Sequence, residues 1–155
     1  MSEQLSHADP PDFFGHAIFC DDIRMEVDGK ITYVGVYATN TMLIRAAFPA
    51  SLPKFCIGMF FNQKAELFKP KLGIRIFLPQ DTDDAASIQA EFAGQLLGEP
   101  LPRVQIMANA TFGPFTIEKP GEIRVRILRE SVLHRIGTLR VLPHPEASAD
   151  APTAA

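Results

Sequence analysis

The sequence predicts an all-β domain built as an antiparallel sandwich, and three observations carry that reading. Apolar and polar residues alternate with a period of two along most of the chain, the pattern of strands with one face in a core and one in water. Clusters of Pro, Gly, Asn and Asp separate these stretches at short intervals. No segment holds a 3.6-residue apolar stripe over more than two turns, so the crossover helices that a parallel sheet requires are missing.

The elements follow in order. Residues 1–12 read as a flexible arm. A hairpin is expected from 16–26 and 31–37, closed by Asp28-Gly29, which supplies the positive φ angles of a tight primed turn. A strand over 41–48 stops at Pro49. Residues 55–62 place Phe55, Ile57, Met59 and Phe61 on one face. Residues 72–78 set Leu72, Ile74, Ile76 and Leu78 against Gly73, Arg75 and Phe77. Residues 83–97 fit a short helix or a strand, with Glu91-Phe92-Ala93-Gly94 favouring a strand over 88–93. Residues 104–112 carry Val104, Ile106, Ala108, Ala110 and Phe112 on one face. Pro120-Gly121 then opens Ile123, Val125 and Ile127, which alternate with Arg124 and Arg126. A last strand places Leu133, Leu139 and Val141 on one face, with Gly137 marking a bulge. Residues 143–155, rich in Pro, Ala and Ser, cannot bury enough apolar surface to offset their ordering entropy and read as a disordered tail. The domain therefore spans 13–142. With about eight strands and a closing hairpin of this kind, the sandwich resembles the immunoglobulin-like or C2-like architectures.

Composition bounds the function. At 155 residues the chain makes one domain, large enough to fold without a metal or disulfide. A net charge of −3 argues against a general nucleic-acid binder and against an anionic-membrane binder. No apolar run approaches a membrane span, and the polar, acidic start lacks the pattern of a signal peptide, so a cytoplasmic protein is expected. Cys20 and Cys56 sit in apolar stretches and read as buried thiols, bridged only if the strands bring them together.

The opening block Cys20-Asp21-Asp22, then Gly29-Lys30-Ile31, then Val34-Gly35-Val36-Tyr37, resembles a family of uncharacterised bacterial proteins with such an N-terminal hairpin. The resemblance covers about the first forty residues. It implies a bacterial setting and β structure, and it implies no functional residue.

Chemistry is sparse. His7, His16, His134 and His144 are scattered, and no zinc spacing, nucleophile elbow or phosphate-cradling loop occurs. No enzyme activity and no cofactor are expected. Asp21 and Asp22 are adjacent in a strand and point to opposite faces, so one of them is expected inward and paired, with Arg24 or Lys30. Together with the loop Asp81, Asp83 and Asp84 they are also the weak candidates for a calcium site, since calcium gathers six to eight oxygens from such loops. Arg124, Arg126, Arg129 and Arg135 form a candidate basic patch, read either as a solvated outer face or as an anion contact. The leading expectation is a non-enzymatic protein-interaction or assembly module, self-associating or with a protein partner, because antiparallel edges can pair with another chain. A calcium- or small-ligand-binding sandwich and a nucleic-acid or anion contact through the arginine strand are the alternatives.

Overall fold

The computed structural model describes residues 4–94 and 101–148. The chain is all-β, and its strands form a sandwich-like pair of sheets with two short ribbons. The smaller sheet has the order β1-β6-β9, from β1 (Phe13–Cys20), β6 (Phe55–Lys64) and β9 (Arg103–Phe112). The larger has the order β4-β12-β11-β7-β8, from β4 (Thr41–Ile44), β12 (Val132–Pro143), β11 (Gly121–Arg129), β7 (Lys71–Phe77) and β8 (Ile88–Ala93). The ribbons are β2 (Asp22–Met25) with β3 (Ile31–Val34), and β5 (Ala50–Leu52) with β10 (Phe115–Ile117). No helix among the described residues is long and apolar enough to cross a membrane.

The core lies between the sheets and follows the alternation. Phe55, Ile57, Met59 and Phe61 face Leu72, Ile74 and Ile76, with Ile123, Val125 and Ile127 beside them, all buried. Phe19, Phe55 and Phe115 stack at one end, with centroids 6.3 and 4.9 Å apart. Such clusters add roughly 0.5–1.5 kcal/mol per ring pair beyond the burial itself. Without Trp, the 12 Phe residues supply most of this aromatic packing.

Several expectations are corrected. The described residues form twelve strands where about eight are expected, because short ribbons such as β5–β10 carry too few residues to alternate visibly. Residues 16–26 are not one strand. The chain turns at Asp21, whose N–H donates to the Val34 carbonyl, so β1 joins β6 while only β2 pairs with β3. The Asp28-Gly29 turn is as expected, with φ of 62° and 73°. The strand expected over 41–48 ends at Ile44, and β4 pairs with β12 in parallel, the one parallel pair among the described ladders. Residues 88–93 form a strand, while 95–97 lie outside the described residues. A bulge between Val125 and Arg126 shifts the register of β12, so Leu133 is exposed on the outer face while Leu139 and Val141 are buried. The tail read over 143–155 falls partly outside the described residues. Its beginning, Pro143, ends β12, and Pro145–Ser148 makes a 3-10 turn held by a 2.6 Å ion pair between Arg45 and Glu146. Of the N-terminal arm, residues 1–3 likewise lie outside. Arg103 fastens its end through the Pro11 and Asp12 carbonyls at 2.5 and 3.2 Å.

Candidate binding surfaces

The outer face of the larger sheet gathers arginines from three strands. Arg126 on β11 lies opposite Arg75 on β7 and opposite Arg135 on β12, so three guanidinium side chains share one cross-strand row. The bulge is what makes the row. It adds Ile136 as an extra residue that turns inward, so that both Arg135 and Thr138 face outward although their numbers differ by an odd step. Arg124, two pairs further along, lies across from Phe77 and Thr138, and its guanidinium sits 5.0 Å from the Phe77 ring centroid. It donates to the Asp83 carboxylate and to the Asp81 carbonyl. Arg124, Arg126, Arg135, Phe77, Asp83 and Thr138 line a concavity of about 760 Å³, with Glu122 and Leu133 also at its rim.

Like charges directly opposite one another destabilise a sheet. Arg126 shows the consequence. Burial, followed by the charges of Arg135 and Arg124, moves its pKa below that of an ordinary arginine. Among the described residues no carboxylate forms an ion pair with Arg75, Arg126 or Arg135. Arg75 and Arg126 instead donate to main-chain carbonyls of their own strands, at 2.9 and 3.0 Å, and Arg75 also to the Ala90 carbonyl of β8 at 3.4 Å. Arg75 was visible in the alternation of residues 72–78, but only the strand order shows that it belongs to this row.

Arg129 does not belong to the patch. It has the parity of Ile123, Val125 and Ile127, and is 8% exposed on the core face of β11. There it donates to the Gln63 side chain at 3.0 Å and to the Leu67 carbonyl, and lies 4.1 Å from the Phe13 ring centroid. Gln63, itself fully buried, also exchanges hydrogen bonds with Lys69. This arginine ties the turn after β6 to the core. Basicity alone does not distinguish it from Arg124 and Arg126; its odd position does.

The acidic candidates separate into two groups, with no hydrogen bond or ion pair between them among the described residues. Asp22 pairs with Lys54, and with Arg24 at 3.1 Å, and these cations hold its carboxyl below the usual range. Asp21 accepts a 3.0 Å hydrogen bond from the Tyr37 hydroxyl. Its carboxylate packs on Gly35, where the φ of +67° and the space a Cβ would fill both require glycine. Asp81 accepts from the Ser87 hydroxyl at 2.5 Å and from the Leu78 and Ser87 N–H groups at 2.8 Å. Burial raises its pKa, but these bonds together leave it below the usual range. Asp83 faces Arg124, and no hydrogen bond is made by Asp84 among the described residues. No three His, Cys, Asp or Glu side chains gather as a metal site among the described residues.

The outer face of the smaller sheet is covered in part, with His16, Gln105 and Met107 on it left exposed. The β2–β3 ribbon lies over it, with the Tyr33 ring against Gly58 and the Tyr33 hydroxyl donating to the Asn109 side chain at 3.3 Å. Beneath this ribbon Cys20 and Cys56 are direct register partners of β1 and β6, both fully buried and both free thiols. Burial pushes the Cys20 thiol up to about 11, so it is inert at neutral pH.

The far strand of the same sheet, β9, presents ten residues at an edge. It pairs with β6 through ten residue pairs without a register shift. It contains no proline, and Arg103 at its start is its one charged residue.

Neither the curated proteins nor the solved structures contain a match to this chain. A family match does exist over residues 15–142, from β1 to the end of β12, which is most of the chain. The chain therefore belongs to DUF6941, a family of unknown function.

Proposed function

We propose that this protein is a non-enzymatic interaction module that takes a further β-strand onto β9, in the first instance the β9 of a second copy. The carrying observation is that β9 is an undefended edge among the described residues. Natural sheets blunt their edges with charges, prolines, bulges or brevity. β9 has ten residues, a continuous register and no charge after Arg103. By contrast β8 is six residues long and carries Glu91, and β4 is four residues long.

The strand also suits itself. Antiparallel pairing centred on Ala108 sets Val104 opposite Phe112 and Ile106 opposite Ala110 on one face. On the other face Gln105 meets Thr111 and Met107 meets Asn109, with no like charges opposed. The setting we infer is bacterial, on the likeness of the Cys20-Asp21-Asp22 block.

The test is the solution mass by light scattering. The native chain should be a dimer, and Gln105→Lys with Thr111→Lys should be a monomer of unchanged circular dichroism, since both side chains are exposed. A native monomer at the highest soluble concentration, or a double variant with the native mass, would overturn the reading.

A further inference from the structure

We infer that the arginine-lined concavity on the larger sheet is a binding site for a phosphorylated small molecule, its phosphoryl oxygens held by Arg126 and Arg135. This site is on another face of the molecule from β9, and does not depend on strand pairing.

Three features of the chain point to it. First, Arg75, Arg126 and Arg135 come from three adjacent strands into one cross-strand row, Arg126 and Arg135 line the concavity, and none of the three is in an ion pair among the described residues. Such a row is unfavourable in the empty protein and favourable when a multiply charged anion lies across it. Second, the row depends on a bulge, a device that re-aims side chains beside sites. Without the extra residue in β12, Arg135 would be out of step with Thr138 and one of them would turn to the core. Third, Arg124 is immobilised differently from its neighbours. Asp83 neutralises it, the Asp81 carbonyl accepts from it and Phe77 lies under it, so it forms a fixed wall and leaves Arg126 and Arg135 as the open donors.

The chemistry selects the ligand. Arginine forks match the paired oxygens of phosphoryl groups, and two forks suit a group carrying two or more negative charges. A concavity of about 760 Å³ is the size of a small-molecule site. The carboxylate of Glu122 at its rim would repel a continuous polyanion running through, so a discrete anion fits better than a nucleic-acid strand. Leu133, exposed at the rim, offers an apolar contact to the rest of such a molecule.

The experiment is titration calorimetry of the full chain with inorganic pyrophosphate, against sulfate at matched ionic strength. A nucleoside diphosphate is added as a second arm, to separate a free phosphate site from one that reads the attached group. Pyrophosphate should bind saturably and more tightly than sulfate. Arg126→Met with Arg135→Met should lose about tenfold or more in affinity, the worth of charge-assisted hydrogen bonds. Arg126→Lys, which keeps the charge and loses the fork, should fall between. Lys30→Met, on the β2–β3 turn, should bind as the native chain does, and melting curves should show each variant folded. Tighter nucleoside diphosphate binding that the double variant loses supports the inference and assigns the attached group. Equal affinity in the folded double variant, binding of sulfate as tightly as pyrophosphate, or binding only of an acidic peptide or a single-stranded oligonucleotide would each overturn it.

Discussion

The two outer faces of the sandwich are treated in opposite ways. The smaller sheet hides part of its outer face beneath the β2–β3 ribbon, where Tyr33 lies on Gly58 and Cys20 and Cys56 are fully buried. The larger sheet leaves its outer face open and lines it with arginines in register. A face closed by the chain itself contributes packing and needs nothing further. A face holding opposed like charges has given up stability, and the proposed anion site would account for what was given up.

The covered face gives the largest expected effect when disturbed. A Cβ at Gly58 would lie 2.5 Å from the Tyr33 ring, and the ribbon has little room to retreat while Asp21, Gly35 and Tyr37 anchor its base. Gly58→Val should therefore destabilise by about 1–3 kcal/mol, the usual cost of overpacking. It should also raise the reaction rate of Cys20 and Cys56 with an aromatic disulfide reagent under native conditions. Denaturant unfolding and thiol kinetics together check it, and unchanged thiol rates would mean that the ribbon is not what shields the cysteines.

Which parts of this comparison can be seen in the sequence depends on distance along the chain. The inward Phe and Ile of β6, β7 and β11 show in the period of two, because the pleat alone decides where they point. So does the Asp28-Gly29 turn. The pairing of β1 with β6 instead of β3 does not show, because the partners are more than thirty residues apart and alternation carries no strand order. The opening motif becomes intelligible only in three dimensions: Gly35 makes room for Asp21, and Tyr37 donates to it. That bond follows burial as a second cause of the rise in the Tyr37 pKa to about 12. In the candidate site, Arg124 and Arg126 were readable from parity and Arg129 should have been excluded by the same parity. Arg75 and Arg135 join them through strand order and a bulge, neither of which leaves a local signature.

The open face gives a smaller effect of opposite sign. Arg126 is opposed by Arg75 on one side and Arg135 on the other. Arg126→Gln relieves the repulsion by Arg135 and should stabilise the unliganded protein by about 0.5 kcal/mol at low ionic strength. The gain should shrink as salt rises, since the interaction is between partly exposed charges. Melting temperatures at low and high salt check this. A variant less stable than the native chain at low salt would mean that the aliphatic stem of Arg126, packed on the sheet, outweighs its charge.

The smallest effect separates the core arginine from the surface ones. The His134 ring packs 5.4 Å from Phe13 and 5.3 Å from Phe61, against the same group of rings that holds Arg129. Burial, and then the Arg129 charge, lower its pKa below the ordinary 6.5. A histidine with a depressed folded pKa favours folding in its neutral form. Its contribution is complete above about 6.5, and is lost as the pH falls from there through the folded value, because the unfolded chain takes up the proton first. The lowered carboxyls of Asp12 and Asp22, held down chiefly by Lys64 and Lys54, act in the same direction but only around and below the ordinary 3.8. Between about pH 7.5 and 5 the native chain should therefore lose more stability than His134→Phe, which keeps a ring in place and cannot titrate. Urea midpoints across that interval measure the difference. If the two slopes coincide, the proton on His134 is accommodated beside Arg129 at no cost, and the group around Phe13 is wetter than its packing indicates.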